Sequence, residues 1–102
     1  MSRYSVILSE DAEHDLQEYI DYIMYEYKAP ITALRHYEAL FDVLSGLKRS
    51  PESYPIQTRT SLLQYGTNVR RINYKRMAVI YTVHGDIVYI HRIVAGSMIT
   101  GL

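Results

Sequence analysis

The feature that most constrains this chain is a change of hydrophobic period near Asn68. Before it, apolar residues recur every three or four positions; after it, they alternate. The 3.6-residue period belongs to helices and the two-residue period to strands, so the chain reads as helices followed by a meander of strands. Ala12, Leu16, Tyr19, Ile20, Ile23 and Tyr27 mark one helical stripe. Ser9 is its expected N-cap, and Glu10 and Asp11 lie in the first turn, where the helix dipole favours anions. Lys28-Ala29-Pro30 interrupts the pattern, and Pro30 suits the first turn of a second helix. Ala33, Tyr37, Leu40, Phe41, Leu44 and Leu47 give that helix its stripe, and Ser50-Pro51 ends it. The short connection makes the pair an antiparallel hairpin.

Ahead of the hairpin, Tyr4, Val6 and Leu8 alternate with Arg3, Ser5 and Ile7 as a short strand. Residues 51–65 read as a loop with one helical turn at Ser61 to Gln64. Val69 to Tyr74, Met77 to His84 and Ile87 to Val94 are the later strands, and Gly85-Asp86 is a two-residue hairpin turn. The expected fold is therefore α+β, in the order βααβββ, with a twisted antiparallel sheet packed on an N-terminal helix hairpin. At 102 residues, one domain spanning 1–102 is expected.

The turn implies a register that pairs His84 with Ile87, Thr82 with Tyr89, Ile80 with His91 and Ala78 with Ile93. Val79, Tyr81, Val83, Val88 and Ile90 then face the helices, together with Val94 and, awkwardly, Arg92. The opposite face, with Ile80, Thr82, His84, Tyr89, His91 and Ile93, is too apolar for idle surface and is expected to bind something.

Charge sharpens that expectation. Acids and bases cancel at eleven each, but residues 1–47 hold nine acids against three bases and residues 48–102 hold two against eight. The halves carry −6 and +6, so an anionic partner suits the second half. Arg70, Arg71, Lys75 and Arg76 form a basic cluster at the strand turn, with Arg59 and Arg92 elsewhere in the basic half. Arginine suits bidentate contacts to phosphate and carboxylate, and Tyr65 and Tyr74 are candidate stacking partners for bases. His91 beside Tyr89 and Arg71 is a candidate general base. The four histidines lack metal-ligand spacing, so no metal or cofactor is expected. Without cysteine there is no disulfide or thiol chemistry. An acidic start in place of a basic-then-apolar leader, and no long apolar stretch, lead to the expectation of a cytoplasmic protein without a membrane span.

The opening YSVILSEDAEHDLQEYIDYI and the closing VRRINYKRMAVIYTVHGDIVYIHRIVAG resemble the ParE/RelE superfamily of bacterial toxins from type II toxin–antitoxin systems, over nearly the whole chain. The resemblance implies a cognate antitoxin and a toxin–antitoxin hetero-oligomer. RelE-type members cleave messenger RNA on the ribosome with basic residues on the sheet face. Laid over that pattern, Arg71 matches a basic position, whereas Ala78 and Met98 stand where arginines are expected, and the late tyrosine would lie beyond Leu102. A ribonuclease would have to rely on Arg71, Arg76 and His91. ParE-type members, which poison DNA gyrase by binding, resemble the chain better, although the basic residue near their C-terminus is Ser97 or Met98 here. The resemblance thus implies a gyrase-binding toxin, with Arg70, Arg71, Lys75, Arg76, Tyr89, His91 and Arg92 as its binding residues for target or antitoxin; the alternative is a ribosome-dependent endoribonuclease.

Overall fold

A computed structural model describes residues 3–75 and 77–95 of the chain, without the side chain of Tyr27. Strand β1 (Ser5–Leu8) leads into helices α1 (Glu10–Tyr27) and α2 (Pro30–Gly46). Two short 3-10 helices (Pro51–Ser53 and Thr60–Tyr65) follow, then strands β2 (Arg70–Tyr74), β3 (Met77–His84) and β4 (Ile87–Ala95). The expected loop of residues 51–65 thus holds two 3-10 helices, the second covering the turn expected at Ser61 to Gln64 and the first an addition to it.

Ser9 starts α1 as expected. Its Oγ accepts the Ala12 N–H at 2.9 Å and donates to the His91 carbonyl at 2.8 Å, tying the helix start to the sheet. Such a cap is worth about 1 kcal/mol. Lys28 ends the helix in the left-handed region, with its N–H on the Met24 carbonyl, and Pro30 opens α2.

The sheet order is β1-β4-β3-β2. β2, β3 and β4 are antiparallel, but β1 lies parallel to β4, Val6 opposite Val88. The sheet is therefore mixed. The helix hairpin is the crossover that a parallel pair requires. At the β3–β4 turn Gly85 has φ +62°, which a residue with a Cβ adopts only at a cost.

The register holds from the turn as far as Tyr81 opposite Ile90 and then slips. Ile80 pairs with Arg92, not His91, and Ala78 with Val94, not Ile93. His91 is the extra residue of a β-bulge. Its effect is to exchange faces: Ile93 joins the helix-side core, and Val94 packs on the other side against the cluster of Ala78 and Ile80. An uninterrupted register would have driven the Arg92 guanidinium into an apolar core, at a cost of several kcal/mol.

The main core joins Leu40, Leu44 and Leu47 of the α2 region and Ala12 of α1 to Val79, Tyr81, Val88 and Ile90. Met77, Val83 and Leu16 pack against it. Buried Tyr81 donates its hydroxyl to the Pro51 carbonyl, and burial raises its pKa. Ile23 is also buried, but Tyr37 and Phe41, assigned to the apolar stripe of α2, are exposed. They lie to one side of the buried row Ala33–Leu40–Leu44. The second face carries a small core of its own, in which Leu62 of the second 3-10 helix and Val69 cover Ala78 and Ile80. Ile80 and Ile93 are thus consumed by the fold and unavailable to a partner.

Candidate functional site

Adjacent residues of a strand point to opposite faces, and this divides the basic cluster. Arg70 stands opposite Tyr81 on the helix side, and Arg71 opposite Ile80 on the other. Arg70 donates to the carbonyls of Glu52 and Tyr54 and lies 3.9 Å from the Glu52 carboxylate. Its side chain is 14% exposed. It fastens the 51–54 segment to the sheet. Lys75, at a left-handed position in the β2–β3 turn, leans over the Tyr74 ring with 5.8 Å from Nζ to centroid. Tyr74 packs against the helix-side core, away from Arg71. Arg76, Ser97 and Met98 lie outside the described residues.

Four of the expected residues do meet on the second face: Arg71, Tyr89, His91 and Arg92. Arg71 donates from Nε to Asn73 Oδ1 at 2.8 Å and remains half-buried. Arg92, brought here by the bulge, donates from Nε and Nη2 to Asp15 at 2.7 and 3.0 Å. The Asp15 hydrogen bond raises the Arg92 pKa more than partial burial lowers it, and Tyr65 raises it further.

Thr82, between two histidines, is the centre of this face. Its hydroxyl lies 2.7 Å from His84 Nε2 and 2.8 Å from His91 Nε2. One hydroxyl proton serves one ring nitrogen, so the other nitrogen must donate, and both rings are satisfied when neutral. The His91 ring lies between two tyrosines. Its centroid is 5.4 Å from that of Tyr65, tilted, and 4.9 Å from that of Tyr89, edge to face. Burial, and then the neighbouring His84, lower the His91 pKa.

Sequence reasoning placed Thr82 and His84 on the face expected to bind but gave them no chemical role there, and it assigned Asp15 none. The turn register put the first two on one face with Tyr89, but it did not put the hydroxyl between the two rings. Asp15 carried no signal among the many acids of its helix. Chemically the face offers the Arg71 guanidinium with spare donors, two imidazoles joined through Thr82 and two aromatic rings. That set suits an anionic, partly apolar partner.

A family model described as the ParE toxin of the type II toxin–antitoxin system, parDE, matches residues 6–100. No curated protein matches the chain. Among solved structures it is similar to a chromosomal ParDE toxin–antitoxin system from P. aeruginosa, with TM-score 0.72 and 17% identity over 91% of this chain and 96% of that one. It is also similar to the RelBE2 toxin–antitoxin complex from Mycobacterium tuberculosis, with TM-score 0.63 and 19% identity over 93% of each chain. The structural likenesses establish the shared fold. With the family match spanning nearly every residue, the chain belongs to the ParE toxin family of type II toxin–antitoxin systems.

Proposed function

We infer that this toxin acts in the cytoplasm by binding DNA gyrase, and that a cognate antitoxin neutralises it by laying an acidic segment on the open sheet face. The observation that carries the reading is the engagement of the arginines. Arg92 holds Asp15 and Arg70 holds the 51–54 carbonyls, so neither is disposed toward a phosphate crossing that face. Ala78, where a RelE-type enzyme has an arginine, is fully buried. The ParE family match supports the same branch. Both structural neighbours come from toxin–antitoxin systems, which supports a hetero-oligomer with antitoxin as the resting form.

One observation favours a second reading, a ribosome-dependent endoribonuclease. Burial lowers the His91 pKa, which favours the neutral ring that can accept a proton, and His91 shares its face with Arg71 and His84. Immobilised gyrase subunits exposed to the purified chain, alongside translating ribosomes given the same chain, separate the two. The binding reading expects saturable capture by gyrase and intact messenger RNA. Cleavage at codon positions that disappears in Arg71→Ala, without gyrase capture, would establish the second reading instead.

A further inference from the structure

His84 and His91 lie on different strands, yet their Nε2 atoms meet at one oxygen, the Thr82 hydroxyl. Thr82 is buried, His91 is half-buried between the Tyr65 and Tyr89 rings, and His84 is exposed at the end of β3. A hydroxyl donates one hydrogen bond and accepts up to two. Burial favours the neutral form of His91, so Thr82 donates to His91 Nε2 and accepts from His84 Nε2. With both rings neutral, the nitrogen left without a proton or a donor is then His84 Nδ1, on the exposed ring. A proton added there makes His84 an imidazolium and breaks neither bond to Thr82. A proton added to His91 would occupy the nitrogen that Thr82 donates to and put the charge on the less exposed ring. A second proton would set two cations against one oxygen. The trio therefore has room for one proton, at one atom.

The surroundings say what that proton is for. Arg92 is held by Asp15, Tyr65 and Tyr89 contribute rings, and Arg71 adds a guanidinium on the same face from β2. Asp86, in the turn after His84, is exposed. An incoming carboxylate within about 4–6 Å of an imidazole favours its charged form. A phosphate calls for several donors around its oxygens, whereas the trio presents one, His84 Nδ1–H, which suits one carboxylate oxygen. Resting on the reading that an acidic segment of the antitoxin lies on this face, we propose that Thr82, His84 and His91 form a subsite for one aspartate or glutamate side chain of that segment. His84 Nδ1 takes a proton from the buffer as the complex forms and donates it to the carboxylate in a charge-assisted hydrogen bond. Thr82 and His91 are positioning residues that fix the His84 ring. An arginine or lysine there would hold the carboxylate at any pH; the histidine makes the complex tighten as pH falls.

The test uses the full chain and a labelled peptide of alternating glutamate and valine, about ten residues long so that it crosses the sheet when extended. Its glutamine counterpart and a short single-stranded RNA are the comparisons. Calorimetry at pH 7 in HEPES and in Tris, which differ in ionisation heat, should give unequal binding heats for the glutamate peptide and equal heats for the glutamine peptide. Fluorescence anisotropy should show the Kd of the glutamate peptide falling about fivefold from pH 8 to pH 6. His84→Gln should bind as the native chain does at pH 8 and lose both the uptake and the pH dependence. Thr82→Val, close in shape, should keep the pH 8 affinity and flatten the profile; a purely structural role would weaken binding equally at both pH values. Binding of the glutamate peptide with equal heats in the two buffers would overturn the subsite and leave the acidic-segment reading standing. No binding of that peptide at any pH would overturn both. Proton uptake at His84 with the RNA, and none with the peptide, would assign the trio to a nucleic-acid phosphate instead.

Discussion

The carboxylate of Asp15 on α1 accepts three hydrogen bonds from β4: two from the Arg92 guanidinium, at 2.7 and 3.0 Å, and one from the Ile93 backbone N–H at 2.9 Å. β1 ends at Leu8, opposite Ile90, and its ladder does not reach Arg92 and Ile93. Asp15 takes over the edge that β1 leaves open, just beyond the bulge at His91, and so supports the site from below.

The three bonds are unequal. Asp15 is 9% exposed, whereas the Arg92 side chain is 35% exposed and keeps access to water. Asp15→Ala leaves the buried Ile93 N–H without its acceptor and the guanidinium without its carboxylate, so urea denaturation should show a loss of about 2–4 kcal/mol. Arg92→Ala leaves Asp15 bonded to Ile93, and solvent screening weakens the lost pair, so its cost should be about 1–2 kcal/mol. A larger cost for the arginine variant would mean that the guanidinium, not the carboxylate, organises this edge.

The bulge explains how much of the molecule was legible in its sequence. The change of period near Asn68 located the helices, the later strands and their turn, because those depend on local patterning. In IVYIHRIVA apolar residues occupy both parities, so an inserted residue leaves alternation looking intact on either side. Arg92 facing the core was the one discordant element, and it marked the slip. Arg70 was unreadable for another reason: its partners, Glu52 and Tyr54, are 18 and 16 residues away, and a contact made by backbone carbonyls leaves no trace in residue type. Phe41 satisfied the helical spacing but lies at the edge of its stripe, where periodicity does not distinguish a buried flank from an exposed one.

His91 gives the fold a pH dependence of definite sign. The His91 pKa lies below its ordinary 6.5 when folded, so the unfolded chain binds the proton more readily. The stability this group contributes is complete above pH 6.5 and declines as pH falls from there through the lower folded pKa. Melting temperature should therefore drop between pH 7.5 and pH 5 more steeply in the native chain than in His91→Gln, once carboxylate effects common to both are subtracted. Identical slopes in the two proteins would remove His91 from the account.

Antitoxin kinetics should separate the charges of the sheet face from its rings. Arg71→Glu should slow association and flatten its salt dependence, because steering acts before contact. Tyr89→Ala should mainly speed dissociation, by about 2 kcal/mol if the ring anchors the segment. Arg70→Glu is not a clean probe of steering, since it also releases the 51–54 segment from the sheet. Surface-immobilised antitoxin titrated with each variant at two salt concentrations gives both rates. Unchanged rates in both the Arg71 and Tyr89 variants would move the acidic segment off this face.

The central claim is that the toxin disables gyrase by binding, and plasmid supercoiling tests it most directly. Relaxed plasmid, ATP and gyrase are incubated with increasing amounts of the purified chain, with and without stoichiometric antitoxin. The account predicts a dose-dependent loss of supercoiled product, restored by antitoxin and retained in His91→Gln, since no proton transfer is involved. Full supercoiling at every toxin concentration, from a chain that still binds its antitoxin, would contradict it.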